Sequence, residues 1–316
     1  MPGSTRAFGW PEMAEKAAFL KPVPPVEEIV GPTPGQILRR KIFGHRGLMI
    51  GGGVLAGILL LALLAPLLAP HDPYAQSLGK RLMQPIWQPK GTWTHVLGTD
   101  QLGRDYLSRL MYGAQVSLLI GVATAVISGL IGTALGVTAG YFGGRVDMAV
   151  TYLITVRLSI PAILVALAMV QLVGGSLQVV ILVLGFLLWD RFAVVIRSAT
   201  MQIRTMDYVK SAQAVGCSLF SILFREVLPN VFNQLVVIAT LEMAHAILLE
   251  AALSFLGIGV QPPTPSWGLM INEGKNFMFF KPYLVMIPGA ALFLLVLAIN
   301  LMGDGVRDVT SPESRS

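Results

Sequence analysis

Residues 208–230 read YVKSAQAVGCSLFSILFREVLPN and lie between two long apolar runs. Glycine tolerates the left-handed position just past a helix end, so a short polar helix is expected to stop at Gly216. A second, amphipathic helix is expected from Ser218 until Leu228-Pro229 ends it. Its apolar positions Leu219, Ile222, Leu223 and Val227 recur at helical spacing. That face can pack on its own membrane domain, enter a partner's groove or lie flat on a membrane surface. Two short helices between spans point to a soluble partner that grips them.

The surrounding chain is membrane-like. It has 316 residues, 54% hydrophobic and only 13% charged, unlike an ordinary soluble domain. Its apolar runs reach about 20 residues, enough to cross roughly 30 Å of hydrocarbon. The net charge of +6 sits in the gaps between those runs, as a positive-inside bias would place it, so no nucleic-acid partner is expected. One cysteine, Cys217, excludes an intrachain disulfide framework and a cysteine-based zinc cluster.

Six spans are expected, at 48–69, 113–140, 147–173, 177–198, 231–256 and 283–303, giving an all-α polytopic membrane protein in contact with lipid. Residues 1–47 read as a cytosolic leader, partly disordered around Pro22, Pro24, Pro25, Pro32 and Pro34. The first run is long enough to be an uncleaved helix rather than a signal peptide. Residues 70–112 form an outer loop, 113–303 the transmembrane core and 304–316 a tail. The side holding the N-terminus collects Arg39, Arg40, Lys41, Arg46, Arg145, Arg191, Arg197, Arg204, Lys210, Arg225 and Arg307. The other side has Lys80, Arg81, Lys90, Arg104, Arg109, Lys275 and Lys281. Both termini and the 199–230 loop are therefore expected in the cytosol. Gly121, Ala125 and Gly129, then Gly132, Gly136 and Gly140, form small-residue stripes that fit packing within the subunit or a dimer seam. Pro161 and Pro288 are expected to kink their spans.

No phosphate-cradling loop, H-E-x-x-H or G-x-S-x-G occurs, and His45, His71, His95 and His245 are too dispersed for a metal site evident in the sequence, so no catalytic residue, metal or cofactor is assigned to this chain. Any ATP-driven transport needs a motor on another polypeptide.

Several motifs stand in order: LGTDQLGRD at 97–105 followed by Ser108-Arg109, AGYFGGRVD at 139–147, LEAALSFLG at 249–257, QPPTPSWG at 261–268 and NLMGDGVRD at 300–308. Together with the 208–230 stretch they resemble the dipeptide/oligopeptide/nickel family of bacterial ABC importer permeases, "C" type, and its EAA coupling loop. The resemblance implies location in the bacterial inner membrane and a companion "B"-type permease. It further implies two ABC ATPase subunits, which carry the ATP and Mg, and an extracytoplasmic solute-binding protein. It implies ATPase-coupling positions at Tyr208, Lys210, Ser211, Ala212, Gly216, Phe220, Arg225, Glu226, Leu228 and Pro229. The solute class stays open among peptides, nickel chelates, glutathione-like compounds and opines.

Some positions depart from the family pattern. Lys210 replaces the glutamate that names the EAA loop, and Glu226 stands where a basic residue is usual. An altered charge on the ATPase groove or a merely solvated Lys210 would each account for this. Gln115 and Val194 stand where the family favours arginine.

The fifth span holds Glu242, His245 and Glu250. An intramembrane carboxylate costs roughly 2.5–3.5 kcal/mol on insertion scales, so such groups face protein or water. Glu242 and His245 share one helix face and can pair. They either line a solute pathway or make buried polar contacts with the companion permease. A proton-coupled carrier using all three residues is the competing class. In the outer loop, Asp100, Arg104, Asp105 and Arg109 serve as a docking surface or as salt bridges that fix its shape. Trp267 is expected at the membrane interface.

Overall fold

The computed structural model describes residues 33–310. Pro22, Pro24, Pro25 and Pro32 of the expected leader, and 311–316 of the expected tail, lie outside the described residues. The chain divides into a short leading unit, Met1–Arg40, and a main unit, Lys41–Ser316. Where the leading unit is described, helix α1 (Pro34–Gly44) begins on a proline, whose missing N–H is harmless at that position. The backbone N–H of Thr33 donates to Gln36 Oε1 at 3.0 Å, half of a capping box.

The main unit is a bundle of helices: α2 (Arg46–Leu63), α3 (Ala65–Leu68), α4 (Tyr106–Phe142), α5 (Gly144–Leu158), α6 (Ala162–Val173), α7 (Leu177–Leu187), α8 (Trp189–Ile203), α9 (Asp207–Ala214), α10 (Leu219–Ser221), α11 (Leu228–Phe255), α12 (Trp267–Gly274) and α13 (Tyr283–Thr310). Five helical stretches are long and apolar enough to cross a membrane, six if the bent pair α5–α6 counts as one. The bend is 81° and falls where Pro161 cannot continue the helix of α5. Pro161 therefore breaks its span outright. Pro288 lies inside α13 without ending it.

Three boundaries differ from expectation. Helix α4 starts at Tyr106 rather than near 113, because Asp105 caps it, Oδ2 accepting from the Ser108 N–H at 2.8 Å. Residues 304–310 continue α13 rather than forming a tail. Leu228-Pro229 does not stop a helix either. A π-helical segment, Ile222–Val227, runs into α11, and the combined stretch Leu219–Phe255 is one candidate span. The wider i→i+5 register ahead of Pro229 absorbs the bond that proline cannot donate.

The second glycine stripe faces inward. A Cβ on Gly136 would sit 2.9 Å from the Ala193 carbonyl oxygen, and one on Gly140 2.7 Å from that of Arg197. Gly132 is pressed against Phe192 and the Trp189 carbonyl. These contacts bring α4 and α8 together backbone to backbone, so this stripe is packing within the subunit. Residues 70–105 and 257–281 gather at one end of the bundle, the cap end. Residues 204–220 gather at the other, the loop end.

Candidate functional site

At the loop end, α9 ends as a Schellman motif. Val215 is the C-cap, Gly216 has φ +80°, and the Cys217 N–H donates to the Ala212 carbonyl at 3.0 Å. Arg204 Nη1 donates to the Tyr141 carbonyl at 2.8 Å and Gln213 Nε2 to the Tyr141 hydroxyl at 3.1 Å, tying the loop to the α4–α5 turn. Val209, Ile222, Val227 and Val231 are buried with Val137, Ile196 and Ile203 at the base of α4 and α8. The amphipathic face therefore packs on its own membrane domain, with Leu223 half-buried and Leu219 left exposed.

The opposite face looks outward. Phe220 is 70% and Phe224 52% exposed, and their rings stack with centroids 4.2 Å apart. Val215, Tyr208 and Leu219 are exposed on the same segment. Burial, and secondarily the nearby Glu226 carboxylate, raise the Tyr208 phenol above its ordinary pKa. Lys210 extends into solvent, its ammonium 3.9 Å from Asp207. Ser211, Gly216 and Arg225 are also exposed, Ala212, Glu226 and Leu228 half-buried, and Pro229 exposed.

Midway along the bundle, Glu242 is 1% exposed at its side chain, and Arg191 Nη1 donates to its Oε1 at 3.0 Å. His245 Nδ1 lies 3.3 Å from Oε2. Arg191 is about 18 Å along α8 from Ile203, and Glu242 about 21 Å along α11 from Leu228, at 1.5 Å per residue. Arg191 is thus an interior residue, not a flank charge. Its side chain is 54% exposed on the subunit surface. Ser198 and Gln202 share its side of α8 by helical spacing, and Val195, one turn from Arg191, lines a cleft of about 480 Å³ with Asn233, Gln234 and Arg307. Arg197 also leaves the flank count, because it forms a two-pronged ion pair with Asp147, Nη2 to Oδ2 at 2.8 Å. Arg157 Nε donates to the Leu187 carbonyl at 2.8 Å, satisfying backbone where α7 breaks from α8.

Glu250 does not join the Glu242 cluster. Ser254 Oγ and Ser266 Oγ donate to its Oε1 at 2.6 and 3.0 Å. Those hydroxyls accept in turn from the N–H groups of Val260 and Leu269. Glu250 therefore locks the hairpin between α11 and α12. Trp267 is buried rather than interfacial, its indole N–H donating to the Leu110 carbonyl at 2.9 Å.

At the cap end, Asp100, Arg104 and Arg109 are buried and meet Glu273 of α12. Arg104 Nε donates to Asp100 Oδ2 at 2.6 Å, while Arg104 Nη2 and Arg109 Nη2 each donate to a Glu273 oxygen at 2.9 Å. Two guanidinium groups and two carboxylates balance to zero charge. Asp105 stands apart, accepting from or facing His95 Nδ1 at 2.9 Å and His71 Nδ1 at 3.6 Å. Sequence reasoning missed Glu273 and Arg157, took Arg191 for a flank charge and set both histidines aside as too dispersed. The usable signal was depth: Arg191 lies well inside an apolar stretch, where a lone arginine needs a carboxylate. Gln115 has a structural use, its amide donating to the Ala62 carbonyl at the end of α2 at 2.7 Å.

The sequence matches the family model described as binding-protein-dependent transport system inner membrane component over residues 132–316. The chain belongs to that family. Residues 33–85 match the N-terminal transmembrane domain of oligopeptide transport permease C. The chain is 38% identical to the dipeptide transport system permease protein DppC of Haemophilus influenzae, covering 85% of this chain and 91% of that one. It is also 38% identical to the di/tripeptide transport system permease protein DppC of Pseudomonas aeruginosa, covering 91% and 95%. The fold is similar to a chain of the MetNI methionine ABC transporter in an inward-facing conformation. That match has a TM-score of 0.53 at 21% identity, covering 64% of this chain and 97% of that one.

Proposed function

We propose that this permease forms one half of the membrane pathway of an ATP-driven importer for short peptides. Its companion permease supplies the other half, and two ATPase subunits dock at the loop end. A solute-binding protein delivers at the cap end. The observation that carries the reading is the loop end's division into a buried aliphatic root and an exposed stacked pair, Phe220 and Phe224. A root fixed to α4 and α8 transmits movement, and aromatic side chains on a rigid base are the groups that concentrate binding energy at interfaces. The relatives named for dipeptides and di/tripeptides support the solute class.

The loop end keeps its excess of basic flank residues after Arg191 and Arg197 are removed from it, which supports a cytosolic loop end and cytosolic termini in the bacterial inner membrane. We place the pathway on the face of α8 and α11 that bears Arg191, His245, Gln202 and Gln234. A half-exposed guanidinium at that depth requires water or protein beside it, and a peptide offers a carboxylate to it. Among the described residues Glu250 is held by two serines, which removes it from a proton relay with Glu242 and His245. The test is uptake by proteoliposomes holding the whole complex. Uptake that needs internal ATP and survives a protonophore supports the reading; uptake driven by a proton gradient without ATP overturns it. Arg191→Gln is expected to reduce peptide uptake while the complex still assembles.

A further inference from the structure

We infer that His71, His95 and Asp105 form a binding site for a late first-row divalent cation, with zinc the best fit, at the cap end of the bundle. One nitrogen of each imidazole and one Asp105 oxygen lie within 4.8 Å of one another. Both histidines turn Nδ1 toward the same atom, Asp105 Oδ1, at 2.9 and 3.6 Å. Donors bound at about 2.0–2.1 Å around a tetrahedral ion are roughly 3.3 Å apart, and these two spacings straddle that value. The longer spacing exceeds a hydrogen bond, and His71 Nδ1 is buried without a hydrogen-bond partner. A cation between the three groups would satisfy it.

The surroundings fit a metal ligand set. Asp105 Oδ2 is held by the N–H and hydroxyl of Ser108, both at 2.8 Å, which leaves Oδ1 aimed at the histidines. The His71 backbone is fixed by its own N–H donating to the Ser108 hydroxyl oxygen at 3.1 Å. The rings stack with centroids 4.6 Å apart, which sets the two imidazoles side by side. His95 and Asp105 are buried, while His71 is 35% exposed and gives the ion and a completing water an entry. Two imidazoles and a carboxylate suit zinc, cobalt or nickel better than calcium or magnesium. The site would join three points separated along the chain: the segment after α3, the middle of the outer loop and the start of α4.

The assembled importer complex, stripped with a chelator, is titrated with Co²⁺ while visible absorption is followed, and zinc is then added. Intense ligand-field bands that zinc abolishes are expected. His71→Ala is expected to weaken Co²⁺ binding by at least the roughly 10–100-fold that loss of an outer-shell partner costs. Zinc is expected to raise the thermal midpoint of the unmodified complex and not that of this variant. His71 Nδ1 makes no hydrogen bond among the described residues, so the variant should fold; Asp105→Asn, which keeps an oxygen for the helix cap, gives a second reading. Absence of the bands in the unmodified complex, or unchanged affinity in His71→Ala, overturns the site.

Discussion

At the cap end, Arg104 and Arg109 are buried against Asp100 and Glu273, while at the loop end Phe220 and Phe224 stand exposed beside a solvated Lys210. Charge is inside where the chain must hold its own loop, and apolar surface is outside where a partner is expected. A buried, charge-balanced network fixes geometry through interactions that fail together when one member is lost. An exposed aromatic pair leaves much of its apolar surface uncovered in the isolated subunit. Similar family resemblance at the two ends therefore carries different physical meaning.

The largest effect is expected at the cap. Arg109→Ala leaves Glu273 and Asp100 short of a partner in a buried site, which costs about 3–5 kcal/mol. Loss of folded subunit is expected, measured as monodisperse yield from membranes. Near-normal yield would mean that the network is dispensable. Next in size, Gly136→Ala forces α4 from α8 and should cost about 1–3 kcal/mol by overpacking, read as a lowered thermal midpoint. Gly53→Ala is the control, since a Cβ there meets nothing within 4 Å.

Charge at the loop end should matter least. Lys210→Glu removes an exposed lysine whose nearest carboxylate, Asp207, is 3.9 Å away, and exposed pairs contribute about 0–1 kcal/mol. The subunit's thermal midpoint is expected to stay put, and ATPase binding to change by no more than about fivefold, on the order of 1 kcal/mol. A larger change would show that the reversed charge at 210 faces a matched group on the motor.

Much of this was legible in the sequence because it is local. Run length gave the spans, and Gly216 marked the end of α9 because a positive φ leaves few alternatives. Other features depend on partners far away in the chain. Glu273 lies 169 residues from Arg104, and nothing near either residue names the other. Arg191 was counted with the flanking charges although the expected span 177–198 contained it, and α8, running on to Ile203, holds it in the interior. Pro229 misled for a different reason: the rule that proline ends a helix assumes an α register, and the segment ahead of it is π-helical. Trp267 carries an interfacial preference that the Leu110 carbonyl overrides.

The stacked pair at the loop end exists for a partner and not for the fold. This is tested most directly by the double variant Phe220→Ser and Phe224→Ser, measuring the ratio of ATPase to permease in the purified complex. A loss of at least about 2 kcal/mol, roughly thirtyfold in affinity, is expected for a central aromatic contact, with the subunit's own yield and thermal midpoint unchanged. A normal ATPase ratio, or collapse of the subunit itself, would contradict it.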